Sequence, residues 1–184
     1  MKVQSITSLK SYFLIAMPGL KDPYFMNSVV YIHEHGKKGA TGFIVNKPTN
    51  VTIADVLLKM KLQSDNVDLA ARPTLLGGPV SQEQIFLMVH DKADLSSKTV
   101  AISFSHEALA DVIAAKSEQE AIFFLGCANW EPGQLETEIA QNGWLIVPYN
   151  GDVLFHLPFM SRYNAAASLI GVDVHHLSSD VGHA

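Results

Sequence analysis

The feature that most constrains the fold is a nearly continuous apolar run, Ala121–Cys127. A strand with one face in solvent alternates apolar and polar residues, whereas an uninterrupted apolar run is typical of a strand covered on both faces. The chain has 184 residues, 48% of them hydrophobic, and this length favours one domain. We therefore expect a single domain built around an enclosed sheet.

Shorter apolar runs that end in turn residues predict further strands, and apolar stripes at helical spacing behind Thr52 and Ser105 predict capped helices. The predicted strands are Tyr12–Met17, Ser28–Glu34, Gly42–Asn46, Pro73–Leu76, Ile85–His90, Thr99–Phe104, Ala121–Cys127 and Trp144–Val147. The predicted helices begin at Thr52 and run over His106–Lys116, Pro132–Asn142 and Ser161–Ile170, with a short helical turn at Asp152–Phe155.

This order of elements predicts an α+β fold: one compact domain over residues 1–184, with a mixed β-sheet flanked by helices. The pattern leaves open whether the sheet is partly closed into a barrel. Residues 1–11 are expected to form a loose N-terminal segment, and the stretch between Glu34 and Thr41 a hairpin loop of several residues.

Composition excludes several classes of protein. A net charge of −5 with 48% hydrophobic residues is not that of a disordered chain, and a single cysteine cannot form an internal disulfide. No apolar run approaches the roughly 18 residues of a membrane span, and the apolar stretch before Pro18 is too short for a secretion signal. We expect a cytoplasmic protein without membrane attachment. The acidic charge, with only Lys37-Lys38 and Lys59/Lys61 as basic clusters, argues against direct nucleic-acid binding.

The segment after the apolar run is the strongest candidate for a ligand site. Trp130 lies in the turn after the predicted strand, and Pro132 and Gly133 lie at the start of the next predicted helix. Ligands of α/β proteins usually lie beyond such strand ends, where a new helix offers unpaired amides to an anion. The alternative is that Trp130 is a packing anchor and Gly133 a turn residue.

Two further patterns suggest chemistry but remain incomplete. Cys127 resembles the nucleophile of a strand-to-helix elbow, yet Asn129 stands where the second glycine belongs and no base can be assigned. His33 and His35, two residues apart on a strand, would face the same side and could begin a metal site, but no third ligand follows from their spacing. No catalytic residue, metal or cofactor is therefore assigned, with His33/His35 kept as the weaker metal alternative.

Gly77-Gly78-Pro79 follows a predicted strand and could form a backbone nest for an anion. The segment lacks the Gly-Lys-Ser/Thr of a phosphate loop, so nucleotide hydrolysis is not indicated.

Several separated strings together resemble the AlgH/YqgE family of small bacterial proteins, from Tyr12 to Ala184. They are Phe13–Pro18, Glu34-His35 with Gly39–Gly42, Asn46–Pro48, Leu76–Pro79, Trp130–Glu136, Asn142–Leu145 and Gly182–Ala184. The resemblance implies a compact α+β domain, partly barrel-like, in a bacterial cytosol. The family was named for an effect on alginate gene regulation, and its members are often labelled transcriptional regulators. It has no established reaction, cofactor or catalytic residue. Cys127 and His33 depart from the residues usual at those positions, which lowers the case for thiol or metal chemistry.

These observations support two functional hypotheses and one structural alternative. The first is a non-enzymatic regulatory protein that acts through a protein partner or a small ligand. The second is an enzyme or sensor that binds a small anionic ligand in a crevice at the strand ends. The residues of that crevice are Glu34, His35, Asn46, Lys47, Gly77, Gly78, Trp130, Gly133 and Gln134. The structural alternative is that these are turn and packing residues only.

Overall fold

The computed structural model describes residues 8–90, 100–103, 105–114 and 120–173. The strands are β1 Tyr12–Ala16, β2 Val29–Gly36, β3 Gly39–Ile44, β4 Pro48–Thr52, β5 Pro73–Leu76, β6 Val80–His90, β7 Ala101–Ser103, β8 Glu120–Trp130 and β9 Trp144–Pro148. The helices are α1 Ile53–Lys59, α2 Val67–Ala70, α3 His106–Ala114, α4 Gln134–Ala140 and α5 Arg162–Ser168. A π-helical turn, Asp152–His156, and a 3₁₀ turn, Phe159–Ser161, precede α5.

The strands form a mixed sheet in the order β4-β5-β8-β3-β2-β1-β9, with β6 and β7 branching from β8. β8 connects the two halves, since its first part pairs with β6 and β5 and its last part with β3. The β5–β8 pair is parallel and the other pairs are antiparallel. β4 and β9 do not pair with each other in the described ranges, so the sheet is open and not a closed barrel.

Strands β1 and β8 are largely buried on both faces, which explains their uninterrupted apolar runs. Alternate residues of β1 point to different clusters: Phe13 and Ile15 lie with α5 and the π-helical turn, and Leu14 lies with α4. A third cluster packs α1 and α3 against β6 and β8. The expected α+β domain with a mixed sheet flanked by helices is confirmed.

Several predicted boundaries differ from the structure. The β2–β3 hairpin turns over two residues, because both strands extend into the expected loop. β4 and the first half of β6 were not predicted, because their many polar residues hide the alternation of apolar and polar side chains that marks a strand. α4 begins at Gln134, after a left-handed Gly133, so Pro132 is not the first helical residue. Within the N-terminal segment, Leu9 is buried and Ser11 donates its backbone N–H to the Ile32 carbonyl, which attaches residues 8–11 to the sheet.

Candidate functional site

Trp130 belongs to a closed network of aromatic and carboxylate groups. The Nε1 atoms of Trp130 and Trp144 both donate to Glu138 Oε2, over 3.0 and 2.8 Å. Gln134 donates its amide to the other oxygen over 2.9 Å, and Phe25 stacks on Trp130 with ring centroids 5.7 Å apart. Trp130 is 4% exposed. The structure therefore favours a packing anchor over a ligand platform.

The other predicted residues of this loop serve the same network. Gln134 accepts the Glu131 backbone N–H over 3.0 Å, which fixes the turn before α4. Gly133 takes φ +79° as the N-cap, and the space beside its Cα is open. Because α4 has only seven residues, its N-terminus is not by itself an anion site.

Glu34 and His35 lie at the end of β2, where a β-bulge between Ile32 and Glu34 shifts the register. The bulge separates the two histidines: the His33 ring lies 6.5 Å from the Phe43 ring, whereas His35 reaches α4 and bonds to Glu136 over 3.0 Å. The expectation that both imidazoles share one face is thus wrong, since it assumed an unbroken strand.

His35 is fully engaged within the protein. Its Nδ1 accepts the Leu9 backbone N–H over 3.0 Å, which leaves the proton on Nε2 to donate to Glu136. Among residues 8–90, 100–103, 105–114 and 120–173, no group of three His, Cys, Asp or Glu side chains is placed to hold a metal ion. Glu34 and His35 line a shallow cleft of about 340 Å³ with Lys10, Lys37 and Lys38.

Asn46 and Lys47 hold the loop that precedes β2. The Asn46 side chain accepts the Val29 N–H and donates to the Asn27 carbonyl, both over 2.8 Å, and is 8% exposed. Lys47 Nζ donates to the Tyr24 carbonyl over 2.7 Å. Burial lowers the pKa of Lys47, partly offset by Asp22. Both side chains thus already have internal partners.

Gly77 and Gly78 mark a close crossing of two backbones. A Cβ at Gly77 would collide with the Gly126 carbonyl, and one at Gly78 with the Cys127 carbonyl. Gly77 also donates to the Leu125 carbonyl and accepts the Ile44 N–H, so its backbone is engaged by β8 and β3. These glycines are required by packing and do not form an open nest.

Cys127 lies inside β8 and not in a strand-to-helix turn, because the strand continues to Trp130. It is 5% exposed, and burial raises the pKa of its thiol. The resemblance to a nucleophile elbow is therefore wrong. His175, His176 and His183 lie outside the described residues.

A larger cleft lies elsewhere, between α1, the start of β8 and the segment that leads into α5. It has a volume of about 570 Å³ and is called here the Arg162 cleft. Its polar lining residues are Arg72, Glu120, His156 and Arg162, and its apolar ones include Ile53, Ile122, Phe123, Phe155, Leu157 and Phe159. None of these residues belongs to the crevice expected from the sequence.

Arg162 is an unusual component of this cleft, since it is 3% exposed. Its Nε donates to the Leu157 carbonyl over 3.1 Å and its Nη1 to the Val45 carbonyl over 2.6 Å. The guanidinium carbon lies 4.6 Å from the centroid of the Phe159 ring. Burial lowers the pKa of Arg162 to about 10, so the group is charged at neutral pH. Within the described part of the chain, its hydrogen-bond partners include no carboxylate.

At the rim, His156 bridges two carboxylates. Its Nδ1 donates to Asp152 over 2.8 Å and its Nε2 to Glu120 over 2.6 Å. These hydrogen bonds raise the pKa of His156, with Asp152 the larger cause. The bridge fastens the π-helical turn to the start of β8. His90, 7% exposed, stacks on Phe155 beside it, and its Nδ1 has no hydrogen-bond partner among the described residues.

Comparison with known proteins shows the family of this chain. Residues 13–175 match the family model described as AlgH-like. The chain belongs to the AlgH-like family. It is 41% identical over 176 residues to a UPF0301 protein of Coxiella burnetii, which covers 96% of this chain and 97% of that protein. A UPF0301 protein of Chromobacterium violaceum is 41% identical over 182 residues, covering 96% and 98%. The expected family is thus confirmed.

Solved structures agree with this AlgH-like assignment. The solution structure of AlgH from Pseudomonas aeruginosa superimposes with a TM-score of 0.75 at 36% identity, over 100% of both chains. A crystal structure of a Corynebacterium diphtheriae protein gives a TM-score of 0.58 at 21% identity, over 90% of this chain and 82% of the other, and shares the fold alone. None of the helices in the described ranges is long and apolar enough to cross a bilayer.

Sequence reasoning missed the residues of the Arg162 cleft and the role of Glu138 in this AlgH-like chain. One signal was available for Arg162, which is the only charged residue between Ser161 and Ile170. Glu138 lies one helical turn after Gln134, so it shares the face of α4 that begins at the tryptophan loop. Val45, one partner of Arg162, lies 117 residues away in the sequence, and spacing does not reveal such a contact. The partners of Glu138 are nearer, since Trp130 ends the strand before α4 and Trp144 begins the strand after it.

Proposed function

We propose that this protein is a non-enzymatic, cytoplasmic regulatory protein that binds a small anionic ligand in the Arg162 cleft. The ligand would control binding to a protein partner, and the protein would influence transcription without contacting DNA. One observation carries the proposal: a charged guanidinium, 3% exposed, lines a cleft of about 570 Å³. Its hydrogen-bond partners among the described residues are carbonyl oxygens and no carboxylate.

The physical argument is the cost of a buried charge. Removing a cation from water costs several kcal/mol, which neutral carbonyl partners offset only in part. A bound anion would supply the missing countercharge, and a guanidinium binds carboxylate or phosphate oxygens through charge-assisted hydrogen bonds. The cleft volume lies within the range of roughly 300–1,000 Å³ that is usual for small-molecule sites.

The residues that the sequence predicts for the ligand crevice are occupied by internal contacts, which supports placing the ligand in the Arg162 cleft instead. Asn46, Lys47 and Trp130 have internal hydrogen-bond partners, and Gly77 and Gly78 lie against another backbone. The partner hypothesis is supported by the net charge of −5, which opposes approach to a nucleic acid. A gel-shift experiment with the purified protein should show no salt-sensitive binding to DNA, and nanomolar binding would overturn this part of the proposal.

The ligand hypothesis is tested by thermal unfolding with a panel of phosphorylated metabolites, organic acids and nucleotides. At 100 times its Kd, a ligand adds about 2.7 kcal/mol, which for a chain of this size raises Tm by about 5–11 °C. We expect the shift to be reduced in Arg72→Gln, which changes an exposed cation of the cleft. It should also be reduced in Arg162→Lys, which keeps the charge but loses the planar fork.

Lys37→Gln is the matched control, because it removes one positive charge from the separate shallow cleft. It should bind the ligand like the wild type. If no anion shifts Tm, or if Lys37→Gln abolishes the shift while both arginine variants keep it, the Arg162 cleft is not the site.

A further inference from the structure

The Arg162 cleft combines one deeply buried cation with apolar walls. The side chains of Ile122, Phe155, Leu157 and Phe159 line it and are each only partly buried. Such surface gains free energy when an apolar group covers it. The lining residues therefore recognise two properties of a ligand, its charge and an apolar body.

The local charge favours a monoanion. Arg72 and Arg162 supply positive charge around the cleft. Glu120 lies in the same wall, and Asp152 is bonded to His156. The two arginines exceed the single carboxylate of the lining, Glu120, by one positive charge, which a carboxylate neutralises. A phosphate dianion or a polyphosphate would instead lie against the Glu120 carboxylate with charge in excess.

The guanidinium also offers room for only a small head group. Its Nε and Nη1 already donate to carbonyls, and Phe159 covers one of its faces. Of its five N–H groups, one on Nη1 and two on Nη2 remain for a ligand, which suits one carboxylate group.

We propose that the ligand of this cleft is an amphipathic organic carboxylate, with its head group on Arg162 and its aliphatic or aromatic body against Phe155, Leu157 and Phe159. This inference rests on the proposed function and names the chemical class of its ligand. Nucleotides and sugar phosphates are the classes that it excludes.

The test uses the full chain and isothermal titration calorimetry with butanoate, hexanoate and octanoate, all below their micellar concentrations. Because each buried methylene contributes about 0.8 kcal/mol, Kd should tighten about fourfold per methylene. Octanamide, the neutral analogue of octanoate, should bind at least about tenfold more weakly, since it cannot form the charge-assisted bond. Inorganic phosphate should bind more weakly than hexanoate.

Leu157→Gln and Met160→Gln form a matched pair in one segment. The first places an amide in the apolar wall while keeping the backbone carbonyl that accepts from Arg162. The second changes a side chain that is 82% exposed. We expect Leu157→Gln to raise the Kd of octanoate at least about tenfold and to leave the Kd of phosphate unchanged. Met160→Gln should change neither Kd.

The outcomes separate this inference from the proposed function. Affinities that are flat along the alkanoate series, or octanamide that binds as tightly as octanoate, overturn the amphipathic carboxylate. If phosphate then still binds and Arg162→Lys weakens it, the anion site itself stands. If neither the alkanoates nor phosphate binds, or if Arg162→Lys changes no affinity, both proposals fail.

Discussion

Glu138 is predicted to be a principal stabilising residue of the domain, and Glu138→Ala tests this. The substitution removes the acceptor of two indole N–H groups that belong to Trp130 and Trp144, which are 4% and 3% exposed. A buried donor left without a partner costs about 1–3 kcal/mol, so the two together should cost about 4 kcal/mol. For a chain of this length, that loss lowers Tm by about 8–16 °C.

The assay is urea denaturation followed by circular dichroism and by tryptophan fluorescence. The chain has two tryptophans, both in this network, so fluorescence reports directly on it. Gln134→Ala is the control, because it removes two hydrogen bonds of an exposed side chain, one to the same carboxylate and one from the Glu131 N–H, and should cost only about 1 kcal/mol.

Glu138→Gln separates charge from hydrogen bonding. Its amide oxygen can still accept from the indoles, but its amide nitrogen would face the donor of Gln134, so an intermediate loss of about 2 kcal/mol is expected. If the free energy of unfolding of Glu138→Ala lies within about 1 kcal/mol of the wild-type value, the indole N–H groups do not depend on this carboxylate and the reasoning is refuted.

Three further predictions concern other parts of the molecule. Gly77→Ala should lower the free energy of unfolding by about 3 kcal/mol or prevent folding, because its Cβ would meet the Gly126 carbonyl. Gly36→Ala has open space around its Cβ, so its free energy of unfolding should lie within about 1 kcal/mol of the wild-type value. Equal free energies of unfolding for the two variants in urea titration would contradict this. Asp152 and Glu120 raise the pKa of His156, so its contribution to stability is complete below its ordinary pKa of 6.5 and is lost as pH rises through the folded value. The Tm difference between wild type and His156→Gln should therefore be larger at acid pH than at pH above that value, and a constant difference would be inconsistent with the bridge. Cys127 should react slowly with an aromatic disulfide reagent in the folded protein and quickly after denaturation, because burial raises its pKa; rapid reaction of the native chain would count against it.

The parts of the fold that depend on neighbouring residues were predictable. The Thr52–Asp55 capping box at the start of α1 is formed by side chains three residues apart, and both of its hydrogen bonds are present in the structure. β5 was predicted with its observed bounds, Pro73–Leu76, because the apolar run ends at a glycine pair. The AlgH-like family also followed from the order of short motifs along the chain.

The grouping of the site residues was not predictable in the same way. Because of a single bulge in β2, the His35 side chain lies against α4 and apart from His33, and no pattern in the sequence predicts this bulge. The residues of the expected crevice lie in four separate places. Trp130 and Gln134 belong to the aromatic network, and Glu34 and His35 line the shallow cleft. Asn46 and Lys47 hold the loop before β2, and Gly77 and Gly78 lie where two backbones cross.

The sequence by itself determined the class of fold, the family, the placement of most strands and the local caps, because these depend on periodicity and on side chains a few residues apart. Only the tertiary structure decided which polar groups meet. Arg162 donates to a carbonyl 117 residues away and His35 bonds to a carboxylate 101 residues away. Such pairs depend on strand register and on where α5 packs against the sheet. Since many distant partners are compatible with one local pattern, burial and register, and not spacing, select the contact that forms.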